Sequence, residues 1–304
     1  MKAIVYTRYG PPEVLQLQQV EKPTPKDHEV LIRVYATTVT TGDLRMRRAD
    51  PFLIRFINGL WRPRRKILGV ELAGVVEGVG QEVRNFREGD EVFGGTGLRM
   101  GAYAEYLCLP EKGSLTRKPG NISFEEAAAI PFGGNTALYY LRDKGRLPEG
   151  PAGQKVLIYG ASGCVGTYAV QLAKYYGAEV TGVCSSANLE LVRSIGADAV
   201  IDYTKEDFAA TGIRYDCIFD AVGKTSKAAC RKILAPGATY LTVNKGLARA
   251  RSENLEFLAN LVARGEIKVV IDRRYPLDDT AAAHGYAENG RKKGNVVIIV
   301  RDPE

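Results

Sequence analysis

The chain has 304 residues, of which 45% are hydrophobic and 25% are charged. This is the composition of a globular protein with one large or two ordinary domains. Five widely spaced cysteines and only two histidines exclude a disulfide framework and a cluster of metal ligands. No apolar run approaches the ~20 residues of a membrane span, and the first residues resemble a strand rather than a signal peptide. We therefore expect a cytoplasmic protein.

The first 120 or so residues alternate between short strand patterns and turns rich in glycine and proline. The predicted strands are 2–6, 29–36, 72–79 and 103–109. The first clear helix signal is a capping-box spacing, in which Ser123 precedes Glu126 by three residues at the start of an alanine-rich stretch. This half of the chain is therefore predicted to be mainly β.

A basic segment at residues 45–66 contributes much of the net charge of +7. Apolar residues interrupt the arginines and lysines of this segment. The favoured interpretation is a solvated segment that packs its apolar side on the domain. Two alternatives are the docking of an anionic surface and a flap over a hydrophobic substrate.

From residue 155 onward the pattern changes to strands that alternate with helices. The predicted strands are 156–159, 179–183, 199–201, 215–219 and 239–243, and 296–300 forms a last strand after a charged stretch. Repeated βα units predict a parallel sheet with helices on both faces. The expected layout is an α/β domain inserted into a discontinuous second domain.

A glycine-rich turn follows the first strand of this α/β part. Gly160, Gly163 and Gly166 fit the spacing G-x-x-G-x-x-G between a short apolar strand and a long helix. Glycines allow a tight turn, and the amides at the start of a helix attract anions. The arrangement predicts a binding site for a dinucleotide pyrophosphate.

The end of the second strand indicates which dinucleotide is bound. An NAD site usually places Asp or Glu there for the ribose 2′-hydroxyl. This chain instead has Ser185 and Ser186, whose hydroxyls could donate to a 2′-phosphate. No basic residue adjoins the serines, and Arg193 lies on the following helix. NADPH is therefore favoured over NADH.

Several segments, together with the glycine turn, resemble the medium-chain dehydrogenase/reductase superfamily over nearly the whole chain. The chain looks most like the zinc-free quinone oxidoreductase branch, which includes the zeta-crystallin-like reductases. The supporting segments are 66–74, 89–94, 101–106, 127–137 and 196–203. The resemblance implies an α/β fold in which a doubly wound parallel Rossmann sheet (residues 122–272) is inserted in a mainly β GroES-like catalytic domain (residues 1–121 plus 273–304).

The resemblance also implies residues that contact the cofactor. Ser185 and Tyr203 match positions that reach the 2′-phosphate, while Asn188 stands where some relatives have Lys or Arg. Thr136 matches a residue near the nicotinamide ribose, and Asn295 matches a contact near the nicotinamide. The full set of cofactor-binding candidates is Thr136, Gly160, Ser162, Gly163, Cys164, Val165, Gly166, Ser185, Ser186, Tyr203 and Asn295.

The zinc-dependent members of the superfamily place a ligand Cys where this chain has Thr40 and a ligand His where it has Val70. Neither residue can replace its counterpart on Zn²⁺, and the four-cysteine structural lobe is absent. The expected reaction is thus hydride transfer, without zinc, to a small electrophile such as a quinone or an α,β-unsaturated carbonyl.

Thr40, Thr41 and Asp43 line the corresponding pocket, which makes Thr40 and Asp43 the catalytic candidates. It is equally consistent with the sequence that these two residues only cap a local turn. The proton could come from Tyr6, from Tyr103 or from solvent.

Two alternative functions stay open. One is a regulatory nucleotide-binding protein that acts on RNA or an anionic surface, although nucleic-acid and surface partners are not favoured because no RNP-type aromatic motif is present. The other is a zinc-independent alcohol dehydrogenase.

The chain also passes almost directly from residue 246 into a helical stretch at 252–264, where relatives have a loop and a sixth strand that often pairs across a homodimer. Homodimer formation is therefore left open.

Overall fold

The computed structural model describes residues 1–246 and 248–302. The chain forms two compact units. Unit 1 comprises residues 1–132, 250–260 and 271–304, and unit 2 comprises residues 133–249 and 261–270. Within the described residues, no helix has both the length and the apolar character needed to span a bilayer.

Unit 1 is built mainly from antiparallel strands. Two of them, β1 (Lys2–Val5) and β2 (Gln16–Gln19), form a separate ribbon. A seven-stranded sheet has the order β13-β14-β3-β4-β5-β7, and β6 pairs with β3. Its strands are β3 (Glu29–Thr38), β4 (Glu71–Val79), β5 (Glu91–Gly95), β6 (Tyr106–Pro110), β7 (Ser114–Arg117), β13 (Ile271–Pro276) and β14 (Asn295–Ile299). Only the β13–β14 pair is parallel.

The helices of unit 1 lie on this sheet framework. They include α1 (Thr41–Arg48), α2 (Ile54–Asn58), α3 (Phe124–Ala128) and α8 (Thr280–Glu288). Alternate residues of β3 and β4, among them Ile32, Val34 and Leu72, fill one core cluster. A second cluster joins Tyr6, Met46 and Tyr103 to α8 and β14. This second core surrounds the polar residues considered below.

Unit 2 contains a five-stranded parallel sheet in the order β10-β9-β8-β11-β12. The strands are β8 (Lys155–Tyr159), β9 (Glu179–Cys184), β10 (Ala199–Asp202), β11 (Tyr215–Asp220) and β12 (Leu234–Thr242). The α-helices α5 (Cys164–Tyr175) and α6 (Leu189–Ser194) connect β8 to β9 and β9 to β10. Two further helices, α4 (Ile130–Leu138) and α7 (Ser252–Ala263), contribute residues to both units.

The parallel sheet of βα units is confirmed, with one difference in its connections. The links from β10 to β11 and from β11 to β12 contain only short 3-10 turns, Phe208–Ala210 and Arg231–Ile233. Within the described residues, the sheet ends at β12. The sequence pattern alone does not distinguish these short turns from helices.

The units divide at residue 133 rather than at the expected residue 122. The reason is that α3, with its capping box of Ser123 and Glu126, packs on the sheet of unit 1. The Phe124 ring stacks on Tyr35 at 4.5 Å between centroids, and Glu125 pairs with Arg274 at 2.5 Å. Ser252, in the 250–260 segment of unit 1, bonds within this unit, because its hydroxyl donates to the Gly113 carbonyl at 2.9 Å.

The expected packing of the basic segment is wrong. Six of its apolar side chains are exposed, whereas Met46 and Ile54 pack on a core cluster. The physical reason lies in α2, whose inward face carries Ile54 and Asn58 and whose outward face carries Phe56 and Ile57.

Candidate cofactor site and buried polar cluster

The glycine turn of unit 2 has the close packing that its glycines predict. Gly160 has a φ of +80°, and a Cβ there would lie 2.6 Å from Val222. A Cβ on Gly166 would lie 2.1 Å from the Gly160 carbonyl oxygen. The amides of Gly160 and Ala161 both donate to the Val183 carbonyl at 3.0 Å, which fixes the turn at the end of β9. Side chains at positions 160 and 166 would therefore destroy the cradle.

Helix α5 starts directly at this turn. Its N-cap is Gly163, which provides no side-chain cap, and its first turn contains Cys164, Val165 and Gly166. The first amides of a helix lack acceptors inside the helix, and the helix dipole adds positive potential there. This helix terminus has the chemistry of a pyrophosphate site.

Asn188 connects the glycine turn to the end of β9. Its amide nitrogen donates to Ser162 Oγ at 3.0 Å and to Ser185 Oγ at 3.2 Å. Because both hydroxyl oxygens accept from Asn188, their own protons are directed to other acceptors. The Asn188 Oδ1 is buried and has no protein partner. The pair of hydroxyl donors fits a phosphorylated ribose.

Ser186 differs from Ser185 in its surroundings. Its hydroxyl donates to Asp202 and lies 3.1 Å from the Thr204 hydroxyl. Thr204 donates to the other oxygen of Asp202 at 2.6 Å, and these hydrogen bonds, led by the one from Ser186, lower the pKa of Asp202. The Ser186 hydroxyl therefore already donates its hydrogen bond to Asp202. Of the two serines predicted to contact the 2′-phosphate, only Ser185 keeps a hydroxyl proton for this purpose.

Tyr203 follows directly on β10 and is half exposed beside the Ser186–Asp202 contact. Its amide donates to the Cys184 carbonyl at 3.1 Å, and its ring lies 6.3 Å from that of Tyr159. Lys205 lies 3.9 Å from Asp202 and offsets its charge. The exposed face of Tyr203 is therefore free to cover a nucleotide.

Thr136 lies on α4, one turn after Gly133. A Cβ on Gly133 would lie 2.6 Å from Cys164 Sγ, so α4 packs closely on the first turn of α5.

The sequence did not single out Gly133 or the role of Asn188 as a bridge. It also did not single out Asp220, whose carboxylate accepts from the amides of Gly223 at 2.8 Å and Thr225 at 2.9 Å and shapes the loop after β11. A single sequence does not show that the glycine at position 133 packs against the start of another helix, because this contact joins residues that are far apart in the chain.

In unit 1, Thr40 and Asp43 form the N-terminal capping box of α1. The Thr40 hydroxyl donates to Asp43 Oδ2 at 2.6 Å, and the Asp43 amide donates back to Thr40 Oγ1 at 3.3 Å. Asp43 Oδ1 accepts from the Gly69 amide at 2.9 Å, and both side chains are buried. The capping alternative is confirmed, and the catalytic role of these residues stays a prediction.

Glu71, the first residue of β4, is a second buried carboxyl group near Asp43. It accepts from the Thr38 hydroxyl and from the Phe132 amide, the latter at 2.6 Å. Burial, with a contribution from Asp43, raises the pKa of Glu71 to about 8, and burial also raises the pKa of Asp43. The sequence contained Glu71 in a family segment but gave it no role.

Tyr103 takes part in a buried hydrogen-bond chain. Arg47 Nε donates to His284 Nδ1 at 3.2 Å, so the other nitrogen of His284 holds the proton and donates to the Tyr103 hydroxyl at 3.0 Å. Tyr103 in turn donates to the Thr38 carbonyl at 3.2 Å. Burial lowers the pKa of His284 to about 3, so this imidazole is neutral.

The Tyr6 hydroxyl is also buried and hydrogen-bonded inside unit 1. Its hydroxyl accepts from the Asn58 amide at 2.9 Å, and burial raises the pKa of Tyr6 and of Tyr103. Both phenols are fully buried. Neither therefore has the exposure of a general acid that must reach a substrate.

The pKa of Glu71 gives a testable pH dependence. A carboxyl group whose pKa is raised by folding, here from 4.5 to about 8, stabilises the protein at low pH and loses this contribution as the pH rises. Glu71→Gln removes the titration, keeps an acceptor for the Phe132 amide and places an amide donor beside the Thr38 hydroxyl oxygen. Across this window, the free energy of unfolding of the variant should rise relative to the unchanged protein by up to about 1.4 kcal/mol per pH unit. Urea unfolding at a series of pH values measures this, and a difference that is constant with pH would contradict it.

The positions that hold catalytic zinc in the zinc-dependent enzymes do not suit a metal here. The Thr40 hydroxyl donates to Asp43, and Val70 offers only an aliphatic side chain. In the part of the chain that the structure describes, no group of three His, Cys, Asp or Glu side chains has the geometry to hold a metal ion. The donor set therefore does not fit Zn²⁺.

Comparison with known proteins places the chain in a family. The alcohol dehydrogenase GroES-like domain matches residues 26–120, and the zinc-binding dehydrogenase domain matches residues 164–280. A 2-methylene-furan-3-one reductase from Solanum lycopersicum is 35% identical over 98% of this chain and 79% of its own. The chain belongs to the medium-chain dehydrogenase/reductase superfamily, in its quinone oxidoreductase branch.

Two further members of this branch support the assignment. An NADPH-dependent alkenal/one oxidoreductase from Arabidopsis thaliana is 34% identical over 98% of this chain and 79% of its own. The solved quinone oxidoreductase from Coxiella burnetii superposes with a TM-score of 0.85 at 28% identity, over 99% of both chains. The expected Rossmann and GroES-like architecture is confirmed.

Proposed function

We propose that the protein is an NADPH-dependent reductase that transfers hydride to quinones or α,β-unsaturated carbonyl compounds and holds no zinc ion. The observation that carries the proposal is the Asn188 bridge, which orients the hydroxyls of Ser162 and Ser185 beside the start of α5. The named activities of the relatives, on an enone, an alkenal and a quinone, support the substrate class.

The residues of unit 2 hold the adenosine half of NADPH. The turn from Gly160 to Gly166 accommodates the pyrophosphate, because Gly160 and Gly166 allow a tight backbone turn that a Cβ at either position would disrupt. Ser185 donates to the 2′-phosphate and Tyr203 covers it. The negative charge of Asp202 near this phosphate is offset by Lys205, which lies 3.9 Å away.

NADPH, when bound, supplies the hydride that reduces the acceptor. Thr136 and Asn295 are the residues proposed to contact its nicotinamide half, as the family resemblance implies. Thr40 and Asp43 act by positioning, because their capping box fixes the start of α1 and the Gly69 amide. Solvent supplies the proton, since the hydroxyls of Tyr6 and Tyr103 are buried and already hydrogen-bonded.

Quinones and enones suit a site without zinc. The charge that arrives with the hydride delocalises onto their carbonyl oxygen, so less Lewis-acid assistance is needed than for an alcohol or a simple ketone. A hydroxyl or backbone donor is sufficient to stabilise this oxygen.

The test is an acceptor panel with NADPH or NADH in the presence of a zinc chelator. We expect NADPH consumption with quinones, alkenals and enones, no loss of rate on chelation, and a strong preference for NADPH over NADH. Alcohol-driven reduction of NADP⁺ would support the alcohol dehydrogenase alternative instead. Absence of turnover with every electrophile would contradict the proposed function.

A further inference from the structure

An apolar patch lies exposed on unit 1 between residues 52 and 61. Its members are Phe52, Leu53, Phe56, Ile57, Leu60 and Trp61. Trp61 is the most exposed, at 86%, and each of the others is at least 40% exposed. Contiguous apolar surface of this kind is uncommon on soluble proteins unless something binds there.

The patch is presented by an anchored segment. Asn58 is fully buried, donates to the Tyr6 hydroxyl at 2.9 Å and accepts from the Arg65 amide at 3.1 Å. Tyr9 donates to the Gly59 carbonyl at 2.7 Å. A network of hydrogen bonds therefore holds the backbone of α2 and the following turn, while the apolar side chains point outward.

Four of the six patch residues have the spacing of one helical face, and Leu60 and Trp61 follow the end of α2. Phe52 and Phe56 are four residues apart, and their rings meet edge to face with 6.0 Å between centroids. Leu53 and Ile57 repeat this spacing. In contrast, Ile54 and the polar Asn58 form the inward face. The segment is thus amphipathic in the inverted sense, with most of its apolar side facing outward.

Positive charge surrounds the apolar patch in the sequence. Residues 45–66 contain eight basic residues and only one acidic residue, Asp50. Arg62, Arg64 and Lys66 are exposed, and none has a carboxylate within ion-pair distance in residues 1–246 and 248–302. Arg55 lies over the Phe52 ring at 5.4 Å, so charge and apolar surface are interleaved.

We propose that the apolar patch and its cations dock the protein reversibly on an anionic lipid surface. Aromatic and aliphatic side chains beside arginine and lysine are the composition of interfacial membrane-binding segments. The apolar residues would enter the boundary of the acyl chains, and the cations would meet the lipid phosphates. The proposal does not depend on the proposed function, because no residue of the patch belongs to the cofactor site.

The same surface suits other partners less well. A symmetric contact with a second copy would bring the arginines of both copies together, which like-charge repulsion opposes. RNA would use the cations and could stack on Phe52 or Trp61, but it offers no environment for Leu53, Ile57 and Leu60. A lipid interface accommodates all of these residues.

Trp61 provides a direct probe, since it is the sole tryptophan of the chain. The full-length protein is titrated with phosphatidylcholine vesicles that either contain or lack phosphatidylglycerol. With the anionic vesicles, we expect the emission of Trp61 to shift to the blue and to be quenched by lipids that carry brominated acyl chains. Raising the salt to about 1 M, where the Debye length is about 3 Å, should release the protein.

Two variants that retain Trp61 separate the two contributions. Arg62→Gln with Arg64→Gln should weaken binding to anionic vesicles about twentyfold, at roughly tenfold per 1.4 kcal/mol. Phe56→Ser with Ile57→Ser should weaken it tenfold or more. Leu98→Ser, an equally apolar and exposed position outside the patch, is the matched control and should bind as the unchanged protein does. Melting temperature and NADPH binding confirm that each variant is folded.

Three results would overturn the proposal. One is an emission of Trp61 that stays unchanged with anionic vesicles, including the case in which the protein binds RNA instead. Another is emission that is already blue-shifted without lipid and depends on protein concentration, which would assign the patch to a second copy. The third is equal weakening by Leu98→Ser. Reduction of a water-soluble acceptor without vesicles is measured in parallel, so the outcome for the proposed function is obtained separately.

Discussion

Replacing Ser185 by Asp should weaken NADPH binding roughly a hundredfold while NADH binding is retained or improved. The hydroxyl of Ser185 can donate to a 2′-phosphate because its oxygen already accepts from Asn188. A carboxylate removes this donor and repels the phosphate, at a cost of about 3 kcal/mol. The same carboxylate can accept from the 2′-hydroxyl of NADH. Fluorescence titration with each nucleotide measures both effects.

The local geometry makes Ser185→Asp a clean change. Aspartate can still accept from the Asn188 amide, so the bridge to Ser162 is kept. Ser194→Asp is the matched control, since this exposed serine at the end of α6 receives the same charge at a different place. Equal losses of NADPH affinity in the two variants would assign the effect to overall charge and would remove the proposed 2′-phosphate contact.

Arg47→Met should lower the free energy of unfolding by about 3 kcal/mol or more. Arg47 is fully buried and donates to His284, to Glu288 and to the Gly10 carbonyl, the last at 2.9 Å. Methionine of similar length leaves the His284 nitrogen and the Gly10 oxygen without a donor, and the loss of a buried charge partner adds to this cost. Urea unfolding at neutral pH measures the change.

The neighbouring residue Arg48 is the control for this prediction. It also approaches Glu288, at 3.6 Å, but its side chain is 43% exposed. Water screens such a pair, so Arg48→Met should cost less than about 1 kcal/mol. If both substitutions had the same small effect, the buried chain from Arg47 through His284 to Tyr103 would not stabilise the unit.

Much of the architecture follows from local patterns in the sequence. The glycine spacing at 160–166 and the capping box at Ser123 correspond to the observed turn and helix because each depends on backbone chemistry within a few residues. The division of the units was harder to predict. It depends on where α3 packs, and the stacking of Phe124 on Tyr35 joins residues that are far apart in the chain.

The site was predictable to a similar extent. The sequence indicated Ser185 and Tyr203 but could not show that the Ser186 hydroxyl donates its hydrogen bond to Asp202. It named Thr40 and Asp43 without separating a catalytic role from a cap, because that distinction depends on burial and on the Gly69 amide. The outward orientation of the apolar patch was missed since charge interrupts the helical pattern there, and the inward side of α2 is marked only by Ile54 and Asn58.

The central claim is that hydride passes from NADPH to an electron-poor carbon of the acceptor. Its most direct test uses NADPH that carries deuterium in place of the transferred hydrogen and locates the deuterium in the product. An α,β-unsaturated ketone is reduced with the purified protein in the presence of a zinc chelator, and the product is analysed by mass spectrometry and NMR. We predict a saturated ketone with deuterium on the carbon β to the carbonyl and a proton from solvent on the α carbon. Deuterium on the carbinol carbon of an unsaturated alcohol, or the absence of labelled product, would contradict the account.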